Sequence, residues 1–151
     1  MKSAVAVILI STLLFFACSK DSVNTKPSIT LKSFDPAIIG INGNANVTFS
    51  FGDKEADLDS IFIYKKRLNI KTTATNRDSL KYGIPAFDKS TTGEISIILK
   101  YQNELISAIT PTQSGIPLRK DPDTLQFKFI LKDKAKNNSD TIIVSPIIVI
   151  R

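Results

Sequence analysis

The stretch TLQFKFILKD (124–133) constrains the fold of this chain more than any other part of the sequence. Apolar side chains stand at every second position from Leu125 to Leu131, and Gln126 and Lys128 lie between them. A period of two is typical of a β-strand that buries one face and exposes the other, whereas a helix would repeat every 3.6 residues. The stretch therefore predicts a strand that covers a core.

The same alternation recurs along the chain. It is present in SITLKSF (28–34), NVTFSF (46–51) and EISIILKY (94–101), while SIFIYKK (60–66) is apolar on both faces and predicts a more central strand. A further short strand is expected near Leu80 to Tyr82. The final run, DTIIVSPIIVIR, is nearly all apolar, but Pro146 has no backbone N–H to donate. We expect this last strand to bulge, change partners or lie at a sheet edge at Pro146.

Segments rich in Gly, Pro, Asn and Asp separate these runs, and no long window after Pro27 has the apolar period of an amphipathic helix. Strands at this spacing predict an all-β fold, an antiparallel immunoglobulin-like β-sandwich of about seven strands, over residues 28–151. The disulfide and the tryptophan of antibody domains are absent, because the chain has one cysteine and no tryptophan. The prediction therefore concerns the broad architecture.

The N-terminal stretch predicts export. Lys2 precedes the apolar segment 4–17, which is short for a membrane span of roughly 17–25 residues but has the length and flanks of a signal-peptide core. Ala17 stands directly before Cys18, an arrangement that resembles the bacterial lipobox. The resemblance implies that residues 1–17 are a lipoprotein signal peptide and that Cys18 is lipidated. Plain secretion with cleavage nearby and a retained membrane anchor are the alternatives.

Residues 18–27 would then form the lipidated cysteine and a polar tether. Nine extended residues reach at most about 30 Å, so the tether would hold the domain close to its membrane. The stretches FSFGDKEADLDSIFIYKK and FKFILKDKAKNNSDTIIVSPIIVI also resemble small Bacteroidota lipoproteins with a single Ig-like or cadherin-like domain. That resemblance implies the sandwich fold and anchorage at the outer membrane, on either the periplasmic or the cell-surface face.

Catalytic motifs are lacking in the sequence. The chain has no histidine, its one cysteine is the predicted lipidation site, and it contains no G-x-S-x-G, P-loop or zinc-ligand pattern. We therefore expect no enzyme and no obligatory cofactor. The net charge of +6 is compatible with solvated lysines or with an anionic neighbour, either acidic polysaccharide or lipid headgroups. Export disfavours nucleic acid as the partner, and the protein or glycan partner stays unassigned.

The turn GDKEADLDS predicts a calcium site. Calcium prefers six to eight oxygen ligands, and Asp53, Asp57 and Asp59 place carboxylates close together in one loop. Asp133 and Asp140, from the last turn, are further potential ligands. The alternative is that these acids end strands and bond nearby backbone N–H groups. Calcium-dependent adhesion or carbohydrate binding at the cell surface is the corresponding alternative function.

The basic segment 64–89 predicts a ligand-binding surface. Tyr64, Lys66, Arg67 and Tyr82 combine aromatic faces with cations, which suits stacking on sugars or binding a phosphate. A hairpin with a solvated face is the alternative. The leading expectation for the whole chain is a non-enzymatic, lipid-anchored envelope protein that acts as a binding or assembly module.

Aspartate is followed by Ser or Thr and an aliphatic residue at five places, beginning at residues 21, 59, 78, 123 and 140. The triplet resembles the O-glycosylation acceptor of Bacteroidota, and Ser22 in the tether is the expected carrier. The structural alternative is that Asp closes a turn, the hydroxyl residue starts a strand and the aliphatic residue enters the core.

Overall fold

The computed structural model describes residues 25–69, 77–87, 90–107, 109, 111 and 113–151. This part of the chain forms nine strands and one π-helical turn. The strands are β1 (Ser28–Asp35), β2 (Ile38–Ile39), β3 (Asn44–Gly52), β4 (Leu58–Arg67), β5 (Arg77–Gly83), β6 (Thr92–Lys100), β7 (Asp123–Asp133), β8 (Ile142–Ile143) and β9 (Ile147–Val149). The π-helical turn, Tyr101–Leu105, follows β6 directly. Among the described residues, no helix has the length and hydrophobicity needed to cross a membrane.

Two sheets face each other. The smaller sheet has the order β1-β3-β6 with antiparallel neighbours, and the larger has the order β2-β9-β7-β4-β5, with β8 also paired to β7. β2 and β9 form a parallel pair. The prediction of an all-β sandwich is confirmed, and the predicted strands near residues 80–82 and in the alternating runs are all present.

At Pro146, where an irregularity is expected, the last strand is interrupted. The final apolar run divides into β8 and β9, which pair with successive parts of the same edge of β7: Ile142 lies opposite Phe129, and Ile147 lies opposite Leu125. Pro146 falls between the two short strands, where no ladder hydrogen bond is required of it.

Phenylalanines from both sheets form the centre of the core. The rings of Phe49 in β3 and Phe129 in β7 lie 4.8 Å apart, and the ring of Phe127 packs edge-on against Phe34 at 6.0 Å. The inward residues of β7 from Leu125 to Leu131 are all fully buried, as their alternation predicts. Each such side chain stabilises the fold by roughly 1.5–3 kcal/mol.

Candidate functional site

The outer face of the larger sheet combines exposed lysines with aromatic rings, and it is the candidate functional surface among the described residues. We call its central part the lysine face; it consists of Phe62, Tyr64 and Lys66 of β4, Ser79 and Lys81 of β5, and Gln126, Lys128, Ile130 and Lys132 of β7. These residues share a face because each occupies the outward position of its own alternating strand. Antiparallel register then brings them side by side, with Tyr64 opposite both Ser79 and Lys128.

Aromatic rings and ammonium groups are interleaved on this face. The Nζ atoms of Lys81 and Lys132 lie 5.6 Å and 5.7 Å from the centroid of the Phe62 ring, within range of a cation–π interaction. Tyr64 is 42% exposed. The face therefore offers several cations around two aromatic rings.

A shallow groove of about 490 Å³ runs along the β4–β5 side of the lysine face. Its lining residues are Tyr64, Lys65, Lys66, Asp78, Ser79 and Lys128. Among the described residues, no carboxylate lies within ion-pair distance of Lys66 or Lys128, whereas Lys81 has Asp59 at 3.6 Å. The groove is thus open to an anionic group from outside the domain.

The structure separates the four residues that the sequence grouped as a ligand site. Tyr64 and Lys66 lie together on the lysine face. Arg67 and Tyr82 point to the opposite side of the sheet, because successive residues of a strand alternate between its faces and Tyr82 pairs with inward-facing Ile61. The side chain of Arg67 is buried.

Beneath the groove, Lys65 is a buried cation that the sequence interpretation missed. Its Nζ donates hydrogen bonds to the carbonyl oxygens of Glu104 at 2.7 Å and Ser107 at 2.8 Å, and to the Ser107 hydroxyl at 3.0 Å. Asp78 Oδ2 is 3.4 Å away. Burial lowers the pKa of Lys65, and Asp78 and Glu104 oppose that shift. The alternation of β4 was the available signal, since it places Lys65 between inward-facing Ile63 and Arg67.

Tyr82 and Glu104 form a second, partly buried contact. The Tyr82 hydroxyl donates to Glu104 Oε1 at 2.6 Å, and the Lys100 backbone N–H donates to Glu104 Oε2 at 2.7 Å. Burial, followed by the hydrogen bond to Glu104, raises the pKa of Tyr82 to about 12. Glu104 belongs to the π-helical turn, which the Ile106 N–H closes on the Tyr101 carbonyl at 3.0 Å.

A third buried group lies at the same end of the sandwich. Asp123 is fully buried between two guanidinium groups, with Oδ1 2.6 Å from Arg67 Nη2 and Oδ2 3.2 Å from Arg151 Nε. Arg151 also donates to the Ile109 carbonyl at 2.6 Å. Burial raises the pKa of Asp123, and the two arginines oppose the rise. These ionisable groups are matched to one another inside the fold, so their geometry suits a structural role.

The three aspartates predicted as calcium ligands, in the turn GDKEADLDS, do not form one cluster. Asp53 Oδ2 accepts the Asp57 N–H at 2.8 Å, so the turn binds its own backbone as the structural alternative expects. Burial, then the charges of Asp53 and Asp133, raise the pKa of Asp57. Asp59 lies apart from this group: its carboxylate accepts the Ser60 hydroxyl at 2.8 Å and faces Lys81.

Asp133 is held by Asn137, whose backbone N–H and side-chain amide donate at 2.7 Å and 2.8 Å, and exposed Asp140 pairs with Lys26. Within the described ranges, no group of three or more acidic, histidine or cysteine side chains is placed to hold a metal ion. Calcium binding therefore stays a prediction.

The predicted modification sites Cys18 and Ser22 lie outside the described residues. Of the other triplets, those at 59 and 123 lie at the starts of β4 and β7, in agreement with the structural explanation. Ser60 is buried and bonded to Asp59, which makes it a poor acceptor.

No protein-family model and no curated protein sequence matches this chain. Solved structures with a similar arrangement of strands include Spo0M, a sporulation control protein from Bacillus subtilis, at 10% identity and a TM-score of 0.42, covering 84% of this chain and 50% of Spo0M. A β-glucosidase from Listeria innocua matches at 9% identity and a TM-score of 0.43, covering 83% of this chain and 16% of the enzyme. A late embryogenesis abundant protein matches at 14% identity and a TM-score of 0.41, covering 97% of this chain and 84% of that protein. This chain thus spans half or less of the first two. The strand pairing itself assigns the protein to a class, the all-β two-sheet sandwich, and the comparisons assign it to no family.

Proposed function

We propose that this protein is a non-enzymatic, lipid-anchored envelope protein whose sandwich acts as a binding or assembly module. The lysine face is the contact surface in this proposal. The observation that carries it is the groove beside Tyr64, where Lys66 and Lys128 stand exposed with no carboxylate partner among the described residues. Such a surface is suited to an anionic partner, because exposed ammonium groups attract it at long range and aromatic rings add contact area.

Three ionisable groups that are buried or partly buried support a binding role over a catalytic one. Lys65, Tyr82 and Asp123 have shifted pKa values, which is common at active sites. Each, however, contacts a protein partner of opposite charge or a hydrogen-bond acceptor in the interior. Their shifts are explained by that packing without a substrate.

The anchorage part of the proposal is tested by producing the full chain in a bacterium that processes lipoproteins and labelling it with radioactive palmitate. We expect label in the wild type and none in Cys18→Ala. The contact surface is tested by sedimenting the protein with isolated cell envelopes. Lys66→Gln with Lys128→Gln should weaken sedimentation, whereas Lys100→Gln, which removes an exposed lysine from the other sheet, should not. Equal sedimentation of the two variants would contradict the assignment of the face.

A calcium-dependent adhesion or carbohydrate-binding domain is the second candidate. It is favoured by the buried Oδ1 atoms of Asp53 and Asp57, which have no hydrogen-bond partner within the described part of the chain, and by the burial and neighbouring negative charges that raise the pKa of Asp57. A cation between these oxygens would relieve both effects. Millimolar calcium should then raise the melting temperature of the wild type, and magnesium should raise it less. No increase with calcium would remove this candidate.

A further inference from the structure

Exposed isoleucines continue the lysine face toward the other edge of the larger sheet. Ile143 of β8 lies opposite Lys128, and Ile148 of β9 lies opposite both Thr124 and Ile38 of β2. Ile38, Ile143 and Ile148 are 61%, 54% and 38% exposed. We call these three residues the isoleucine strip. Register thus places an apolar strip directly beside Lys128, which has no carboxylate partner among the described residues, on the same side of the domain as the lysine face.

The outer face of the smaller sheet has a different composition. Its central rows are built from hydroxyl residues, with Thr48 bonded to Ser96 at 3.2 Å, and its Lys32 is paired with Glu94. One exposed isoleucine, Ile98, stands there beside these polar groups. The smaller sheet thus joins one exposed isoleucine to one further exposed lysine, Lys100, on its outer face, whereas the larger sheet joins several lysines to three isoleucines.

We infer that the lysine face and the isoleucine strip together dock onto an anionic phospholipid surface, with the larger sheet lying flat against the headgroups. Lysines at such a surface attract anionic headgroups while neighbouring apolar side chains enter the acyl boundary. Exposed apolar side chains with a polar rim mark this kind of contact. An acidic polysaccharide would satisfy the lysines but leave the isoleucines in water, so phospholipid accounts for more of the surface.

The inference rests on the proposed function, because the lipid anchor supplies the high local concentration that a weak contact needs. A short tether turns docking into an intramolecular step with an effective concentration in the millimolar range. Each lysine near an anionic surface contributes roughly a fivefold change in the docking equilibrium. Lys66 and Lys128 together would then shift an anchored domain strongly toward the docked orientation.

The test is chemical acetylation of lysines, followed by mass spectrometry, on the full chain reconstituted into phosphatidylcholine vesicles with or without phosphatidylglycerol. We expect Lys66 and Lys128 to react at least about fivefold more slowly when phosphatidylglycerol is present. Lys100, on the smaller sheet, should keep its rate. High salt should restore the rates of the first two, because it screens the attraction.

Matched variants separate the contribution of the isoleucine strip. Ile143→Ser should reduce the protection of Lys66, and Ile98→Ser, an equally exposed isoleucine on the smaller sheet, should not. Equal acetylation rates with and without phosphatidylglycerol would overturn the inference. Protection by a dissolved acidic polysaccharide in detergent, without protection by the anionic vesicles, would also overturn it and would identify a glycan surface. Failure of palmitate labelling would instead contradict the anchorage, so the two failures are distinguishable.

Discussion

Asp123→Asn is the substitution for which the structure predicts the largest loss of stability without a change of volume. Asp123 lies between the buried guanidinium groups of Arg67 and Arg151, at 2.6 Å and 3.2 Å. Asparagine keeps the shape of the side chain but removes the charge that balances both arginines. Two buried cations would then face one another across a neutral amide.

The expected size follows from the cost of leaving buried charge uncompensated. Removing one partner of a buried ion pair typically costs about 3–5 kcal/mol, mostly because the remaining charge keeps its desolvation penalty. For a domain of this size, about 1 kcal/mol corresponds to a change of roughly 3–6 °C in melting temperature. We therefore expect Asp123→Asn to lower the melting temperature by about 9–30 °C, toward the lower end because the substitution also removes the desolvation that raises the pKa of Asp123.

The assay is urea denaturation of wild type and variant, followed by far-ultraviolet circular dichroism, with thermal unfolding as a second readout. Asp59→Asn is the matched control, because it removes the same charge from an exposed pair with Lys81, 3.6 Å away. Exposed ion pairs are screened by solvent and contribute little to stability, so the control should unfold close to wild type. A loss below about 1 kcal/mol for Asp123→Asn would refute the argument, since the arginines would then be stabilised by something other than the carboxylate.

Three further predictions follow from other parts of the structure. Gly93→Ala should destabilise the domain by about 1–3 kcal/mol in urea denaturation, because a Cβ there would lie 2.8 Å from Phe51 Cε1. Gly83→Ala is the control and should cost clearly less, because no atom lies within 4 Å of the Cβ that it adds. Similar losses for the two variants would mean that Phe51 moves freely. Between pH 10 and 12 the wild type should lose stability as pH rises, because the tyrosine of the unfolded chain releases its proton at a lower pH than Tyr82 in the fold. The loss should be at most about 1.4 kcal/mol per pH unit, and less in proportion to the solvent exposure of Tyr82. Tyr82→Phe should remove this pH-dependent loss, and an unchanged pH profile would contradict the raised pKa. Asp57→Asn in metal-free buffer at neutral pH should raise the melting temperature, because burial and the charges of Asp53 and Asp133 disfavour the ionised form of Asp57; a decrease would contradict this argument. If calcium raises the melting temperature of the wild type, loss of that increase in Asp57→Asn would favour the calcium site.

Local pattern was sufficient for the longer strands and for the side of each that faces the core, but it did not predict β2 (Ile38–Ile39), which lies in a segment rich in Gly and Asn. The alternation in 124–133 correctly predicted that Leu125 to Leu131 would be buried at every second position, and Pro146 correctly marked an irregular point in the last strand. Both results depend on one residue and its immediate neighbours, because side-chain direction alternates along any strand and proline lacks an N–H wherever it occurs.

The same alternation should have separated Arg67 from Lys66, yet composition grouped them as one basic segment. A basic residue is expected at the surface unless a partner compensates its burial, and the partners here are distant in sequence. Lys65 is bonded to the 104–107 segment and Arg67 to Asp123.

The sequence by itself therefore determined the longer strands, their buried faces and the absence of recognisable catalytic motifs. Only the tertiary structure decided which charged side chains are buried and which are exposed. It joins lysines of β4, β5 and β7 into one face and places the isoleucines of β2, β8 and β9 beside them. The physical reason is that a strand's period fixes directions relative to its own axis, whereas a surface or an ion pair depends on which strands become neighbours and in what register.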